Sequence, residues 1–273
     1  MSIITSIIYG FVQGVTEFLP ISSSAHLAVL PKILNVADPG QFFDLSLHLG
    51  TGISILVFFY REILLILKDF FYFITFQKAR LSPNNFLMKN LLIGTISTFL
   101  MVILLKKFGP KDLRSVSLIA FNTIFFGIVM GIADFFSPRE KKEIMGTDRK
   151  KKSIFIGLCQ GLATIPGVSR LGATMTMSRI FGISRSESAK FSFLLSLPVV
   201  FGGFLIEFKD LPAAQDFSFL PVLIGGVISF IMGLITLNLF MKWIEKIGLV
   251  PFSVYRILFG LFLLFGSSST TIS

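Results

Sequence analysis

Gln13-Gly14-Val15-Thr16-Glu17-Phe18-Leu19-Pro20-Ile21-Ser22-Ser23-Ser24-Ala25-His26 is a polar, helix-breaking stretch in a chain otherwise suited to lipid. It returns, with a one-residue gap, as Gln160-Gly161-Leu162-Ala163-Thr164-Ile165-Pro166-Gly167-Val168-Ser169-Arg170. Each copy interrupts an apolar helix with Gly or Pro and places Ser beside an ionisable group. Irregular backbone at membrane depth survives only where it is buried in protein or lines a cavity. Two such breaks at matching places in two halves mark a binding site between repeats.

The surrounding composition sets the solvent. Of 273 residues, 53% are hydrophobic and only 15% charged, with 33 Phe, and mean hydropathy is +0.82. Soluble domains carry about 25% charged residues, so this chain belongs in a bilayer. Apolar runs of spanning type lie at 44–60, 91–105, 115–133, 191–208, 217–241 and 251–265. Six spans and two broken segments make one polytopic domain over 1–273. The start lacks a basic n-region and is expected to be mature protein rather than a cleaved signal. Cys159 is the single cysteine, which excludes an internal disulfide and a multi-thiolate metal site. With only His26 and His48, a His-rich metal centre is excluded as well.

Net charge is +10, and its placement matters more than its size. Lys and Arg gather in 61–89 and 139–152, as cytoplasmic loops do. Threading six spans by that rule puts 61–89, 134–153 and 242–249 inside, and 106–114 and 209–217 outside. The basic loop 106–114 pulls mildly the other way. These charges serve orientation, not nucleic-acid binding.

The echo extends further. Phe43-Asp44-Leu45-Ser46-Leu47-His48-Leu49-Gly50 opens the first span of one half, and Phe191-Ser192-Phe193-Leu194-Leu195-Ser196-Leu197-Pro198 the first of the other. Each half is then a broken segment plus three spans. Three is odd, so the second copy enters from the opposite side. The expected fold is an all-α integral membrane protein with an inverted-topology repeat: six spanning helices plus two re-entrant helical hairpins. Repeat one covers about 1–135 and repeat two about 153–270. The hairpins, 1–35 and 153–184, should meet at their tips, where helix N-termini offer backbone N–H groups to an anion.

The chemistry then follows from residue types. Glu17 shares a helix face with Gln13 four residues earlier. A carboxylate at mid-membrane costs roughly 2.5–3.5 kcal/mol, so it has a partner or a task. Three roles are open to it: a structural ion pair with Arg170, a general base, or a Mg²⁺ ligand. Arg170 presents a planar fork matched to phosphate oxygens, and Gly167 before it permits close backbone approach. His26, three residues after Ser23, fits a nucleophile with its base. His48, between Leu45 and Leu49, is expected to be structural, and Arg179 and Arg185 to mark the cytoplasmic end. Ser23 and Ser169 are read as matched positions, as are Gln13 and Gln160, whose amides can orient a carboxylate or a metal-bound water.

Gln13-Gly14-Val15-Thr16-Glu17, continuing through Ser22-Ser23 to His26, resembles the acidic motif of the bacterial undecaprenyl-diphosphatases, the bacitracin-resistance protein family. Pro166-Gly167-Val168-Ser169-Arg170 with Thr174 is similar to that family's PGxSRSxxT motif, with Leu171 where the motif has Ser. The first acidic position is the amide Gln13, which leaves Glu17 as the sole carboxylate of that motif. The resemblance spans essentially the whole chain. It implies hydrolysis of undecaprenyl diphosphate to undecaprenyl phosphate and inorganic phosphate, which recycles the lipid carrier for peptidoglycan and other envelope polymers. It also implies a multi-pass protein of the bacterial plasma membrane, an active site facing the outer side, and a supporting divalent cation.

Residues and resemblance together assign catalysis to Glu17, Ser23, His26 and Arg170. Substrate binding falls to Ser22, Gly167, Ser169, Arg170 and Thr174. The metal, Mg²⁺ with Ca²⁺ as alternative, falls to Glu17 and Gln13. Ser23 attacking with His26 as base, and water activated by His26 and Glu17, both stand. Besides lipid substrate and membrane lipids, a homodimer is the one partner left open. The rival function is a transporter or flippase of polyprenyl phosphate, since inverted repeats are transporter architecture. Ser169-Arg170 also begins the SR-x₅-H pattern of phosphatidic-acid-type phosphatases, but the His position holds Thr176, which excludes that class.

Overall fold

The structure, a computed structural model, describes residues 1–82, 85–109, 115–137, 150–209 and 219–268. All its regular elements are helical. In chain order they are α1 (Ile3–Thr16), α2 (Ser23–Leu34), α3 (Gln41–Phe58), α4 (Tyr60–Ile74), α5 (Phe86–Phe108) and α6 (Val116–Phe136). The second half contributes α7 (Lys150–Leu162), α8 (Arg170–Ile180), α9 (Arg185–Lys209), α10 (Phe219–Ile247) and α11 (Val250–Ser268). Much of the loops expected at 106–114, 134–153 and 209–217 lies outside the described residues.

Among the described residues, four helices are long and apolar enough to cross a membrane: α5, α6, α9 over Arg185–Leu205, and α10. α3 and α4 make a fifth crossing if the pair, bent by 85°, counts as one. The last expected span is helical as α11, but its apolar part, Val250–Phe265, is shorter than those four. Several apolar helices thus mark a multi-pass membrane protein. Ile96, Ile103, Phe121, Ile128, Leu223 and Ile231 stand exposed on them, as lipid-facing side chains do.

The bend falls at Phe59, which leaves helical geometry at φ −101°, ψ 26° and is buried against Phe58 and Phe193. Beyond it Arg61, Glu62, Lys68 and Asp69 make α4 amphipathic. So part of the expected basic loop 61–89 is a helix, tied back to α9 by Lys190 and Glu62 at 2.9 Å.

Both broken segments are helix–turn–helix units, α1–α2 and α7–α8. The first helix of each packs on a long span of the other half: α1 on α10, and α7 on α5. Small residues at four-residue spacing allow the close approach. A Cβ on Gly10 would lie 2.5 Å from the Gly225 carbonyl oxygen, and one on Gly157 would lie 2.2 Å from that of Gly94. Gly14 and Gly161, one turn on, meet Met232 and Met101 in the same way. Each glycine pair flanks its Gln, Gln13 or Gln160, at the same offsets. The apolar core formed by Phe18, Ile55, Leu171, Met175, Phe193 and Leu195 fills the centre beside the two turns.

Candidate active site between the hairpin tips

The turn 17–22 ends at Ser22 and the turn 163–169 at Ser169, and each serine is the N-cap of the following helix. Both adopt positive φ, 72° and 69°, where caps are usually extended and non-glycine residues are strained. The matched pair is therefore Ser22 with Ser169, not Ser23 with Ser169 as the bare spacing implied. Ser23 corresponds to Arg170, each the first residue of its helix. Glu17 corresponds to Thr164, each four residues after its Gln.

These first residues meet over one carboxylate. Arg170 donates from its guanidinium to Glu17 Oε1. Ser23 Oγ donates to Glu17 Oε2 at 2.5 Å, and Gln13 Nε2 donates to the same oxygen at 3.1 Å. His48 of α3 brings Nε2 to 3.6 Å from Oε2, while its Nδ1 lies 2.8 Å from the Asp44 carbonyl oxygen. A residue expected to be structural thus stands at the carboxylate.

The other expected residues are placed differently. His26 bonds through Nδ1 to the Ser22 carbonyl at 2.8 Å and through Nε2 to the Tyr255 hydroxyl at 2.7 Å. Its ring stacks on Phe259. The expected Ser23–His26 pairing is not formed, because both ring nitrogens are engaged elsewhere and the Ser23 hydroxyl has turned to Glu17. Ser22 Oγ pairs with Ser24. Ser169 Oγ accepts from the Gly172 N–H at 3.1 Å, capping α8. The buried Thr174 hydroxyl bonds back to the Arg170 carbonyl at 2.9 Å. Gly167, at φ +90°, offers its carbonyl to Arg256 at 2.7 Å. Leu171 is buried in the apolar core and, with Phe193, lines a small cavity beside Glu17 and Arg170, so an apolar side chain stands there where the motif has Ser.

Two cavities adjoin the ion pair. One of about 350 Å³ is lined by Asp44, His48, Gln160, Thr164, Arg170 and Val200. It has Arg170 in its wall, beside His48 and Thr164. A second, about 20 Å³, lies between Glu17, Arg170, Ser192 and Ser196, room for one water.

Arg179 and Arg185 do more than mark an end of the bundle. Both donate to Asp134 Oδ1, at 2.8 and 2.9 Å, and the Leu249 N–H donates to Oδ2 at 2.9 Å. Asp134 therefore joins α6, α8, α9 and the start of α11. Sequence reading passed over Asp134 and Arg256, although ionisable groups inside apolar spans are signals in themselves.

The sequence model of the family described as Bacitracin resistance protein BacA matches residues 6–262. A Marinobacter nauticus protein named undecaprenyl-diphosphatase is 35% identical over 261 residues, covering 94% of this chain and 96% of that protein. Proteins of the same name from Ruthia magnifica and Tropheryma whipplei are each 37% identical, over 97% and 96% of this chain and 99% and 98% of theirs.

Proposed function

Because the chain belongs to the bacitracin resistance protein BacA family, we propose that it hydrolyses undecaprenyl diphosphate to undecaprenyl phosphate and inorganic phosphate. The observation that carries this is one partly buried carboxylate, Glu17, held at the meeting of two helix N-termini by a guanidinium and a serine hydroxyl. Phosphoryl transfer depends chiefly on positioning and charge stabilisation. Arg170 keeps donors beyond the one on Glu17, and it lines the larger cavity, where the diphosphate would lie with its tail among the Phe- and Leu-rich helices.

The hydrogen bond from Ser23 to Glu17 puts the carboxylate where a general base for that hydroxyl stands. Ser23 Oγ would form a bond to the terminal phosphorus as the anhydride P–O bond breaks. The proton passes to Glu17, and polyprenyl phosphate leaves with the bonding electrons. Water then releases phosphate and restores Ser23. Direct attack by water, activated by Glu17, is the competing route, and the small cavity beside the ion pair supplies its place. His26 would act indirectly, by fixing the Ser22 carbonyl and so the start of α2.

A divalent cation fits the donor set. Glu17 offers carboxylate oxygen, and Gln13 Oε1 is buried without a hydrogen-bond partner among the described residues, so these two would hold it. Among the described residues no three His, Cys, Asp or Glu gather as a metal cage, in keeping with Mg²⁺, which draws most ligands from water and substrate phosphates. When bound, it would neutralise charge developing on the phosphate oxygens.

The finer topology belongs to this proposal too: six crossings, two re-entrant hairpins and an inverted repeat in the bacterial plasma membrane, with the site open to the outer side. The reciprocal packing of α1 on α10 and α7 on α5 supports the repeat. The relatives' names favour hydrolysis over carriage of the lipid. Purified protein in detergent, where no second compartment exists, should release phosphate from polyprenyl diphosphate, and a chelator should suppress that release. No release with Mg²⁺ present would overturn the proposal.

A further inference from the structure

Arg256 of α11 is fully buried and, among the described residues, pairs with no carboxylate. Burying a guanidinium without a counter-charge is expensive, so such a group persists where its donors are needed. Its Nε donates to the Thr123 carbonyl of α6 at 3.2 Å, and one terminal nitrogen donates to the Gly167 carbonyl at 2.7 Å. The other terminal nitrogen has no hydrogen-bond partner among the described residues. It lies where a Cβ on Gly172 would be 2.7 Å away, so glycine at that position of α8 makes room for the guanidinium. Asn122 of α6 grips the same turn, donating to the Pro166 carbonyl at 3.0 Å.

The turn so held is the one that delivers Arg170. Gly167 adopts its φ of +90° freely, but Ser169 at φ 69° is strained and relaxes unless neighbours over-determine it. Next to Arg256, Tyr255 bonds His26 on the other tip. Consecutive residues of α11 therefore brace both hairpins.

We propose that Arg256 is a positioning residue for the reaction: by bridging the Thr123 and Gly167 carbonyls it fixes the 163–169 turn so that Arg170 faces Glu17 and the substrate phosphates. This rests on the functional reading above. Lysine keeps the charge but cannot reproduce a planar fork across two carbonyls.

The test is a double-mutant cycle on the purified full-length protein with R170K, R256K and the pair. It is read as kcat/KM for polyprenyl diphosphate and as affinity for a non-hydrolysable, methylene-bridged farnesyl bisphosphonate. R256K should lower kcat/KM about 10-fold and weaken analogue binding. In the R170K background it should add less than about 2-fold in either, because a residue acting through Arg170 has nothing left to position. Losses that multiply, or a wild-type R256K, would overturn the inference. If R256K does not fold, G172A carries the same cycle, since its methyl displaces the guanidinium while leaving it present. A wild type that binds the analogue but releases no phosphate would sink the functional reading, and the binding cycle would still decide this one.

Discussion

Glu17 accepts hydrogen bonds from three side chains drawn from both halves of the chain. Replacing it by Gln keeps the size and removes the charge that Arg170 and Ser23 address. E17Q should therefore cut phosphate release by at least ~10²-fold, the low end for acid–base chemistry. Turnover within a few-fold of wild type would remove Glu17 from the mechanism. Ser23 decides the attacking group: if its oxygen bonds phosphorus, S23A should form no phosphoenzyme and be nearly inactive. Phosphate release at an appreciable fraction of wild type would transfer the attack to water. The residue pattern exposed Glu17, Ser23 and Arg170 because ionisable and hydroxyl groups stand out in apolar sequence. It did not place His48 beside Glu17, a position that depends on how α3 crosses the hairpin, and it paired Ser23 with His26 on their three-residue spacing. Spacing on a helix says which face two side chains share, not which way a hydroxyl turns.

Helix packing turns on close backbone approach and on one buried charge cluster. Gly157 leaves no room for a methyl against the Gly94 carbonyl, so G157A should cost about 1–3 kcal/mol by overpacking. Thermal unfolding in detergent reads this directly, and an unchanged Tm would mean that α7 and α5 can separate freely. Asp134 is the sole carboxylate that hydrogen-bonds Arg179 and Arg185 among the described residues. Removing it in D134A strands two guanidiniums, at about 3–5 kcal/mol, toward the lower end because Arg185 is partly exposed. A loss below about 1 kcal/mol would show that water already screens the cluster. Helix existence was legible from apolar runs, but the break at Phe59 was not. No Pro or Gly announces it, and it arises where burial of one aromatic meets the polar face of α4.

At the scale of the molecule, the repeat makes a directional prediction. If the halves are inverted, α1 and α7 begin on opposite sides of the membrane. With Cys159 replaced by Ser, a cysteine at Ser2 should react with an impermeant maleimide from outside intact cells. One at Lys150 should react only after the membrane is opened. Labelling of both from one side would contradict inversion. The two halves also differ in chemistry. Glu17 in the first corresponds to Thr164 in the second, and Ser23 corresponds to Arg170, so one half brings the carboxylate and hydroxyl while the other brings the cation. Each half is incomplete alone.

The amino-acid order by itself determined the helical membrane class, the two helix-breaking segments, and Glu17 and Arg170 as charges that stand out in apolar sequence. Those follow from local hydropathy, from Gly and Pro in apolar runs, and from the cost of charge in lipid, none of which needs a partner to be known. Only the tertiary structure decided which serine matches which, that Ser23 turns to Glu17 rather than His26, and that His48 and Arg256 attend the site. Those outcomes depend on how helices distant in sequence cross and on which buried carbonyls and carboxylates they bring within hydrogen-bond reach. Spacing along one chain segment carries no record of that.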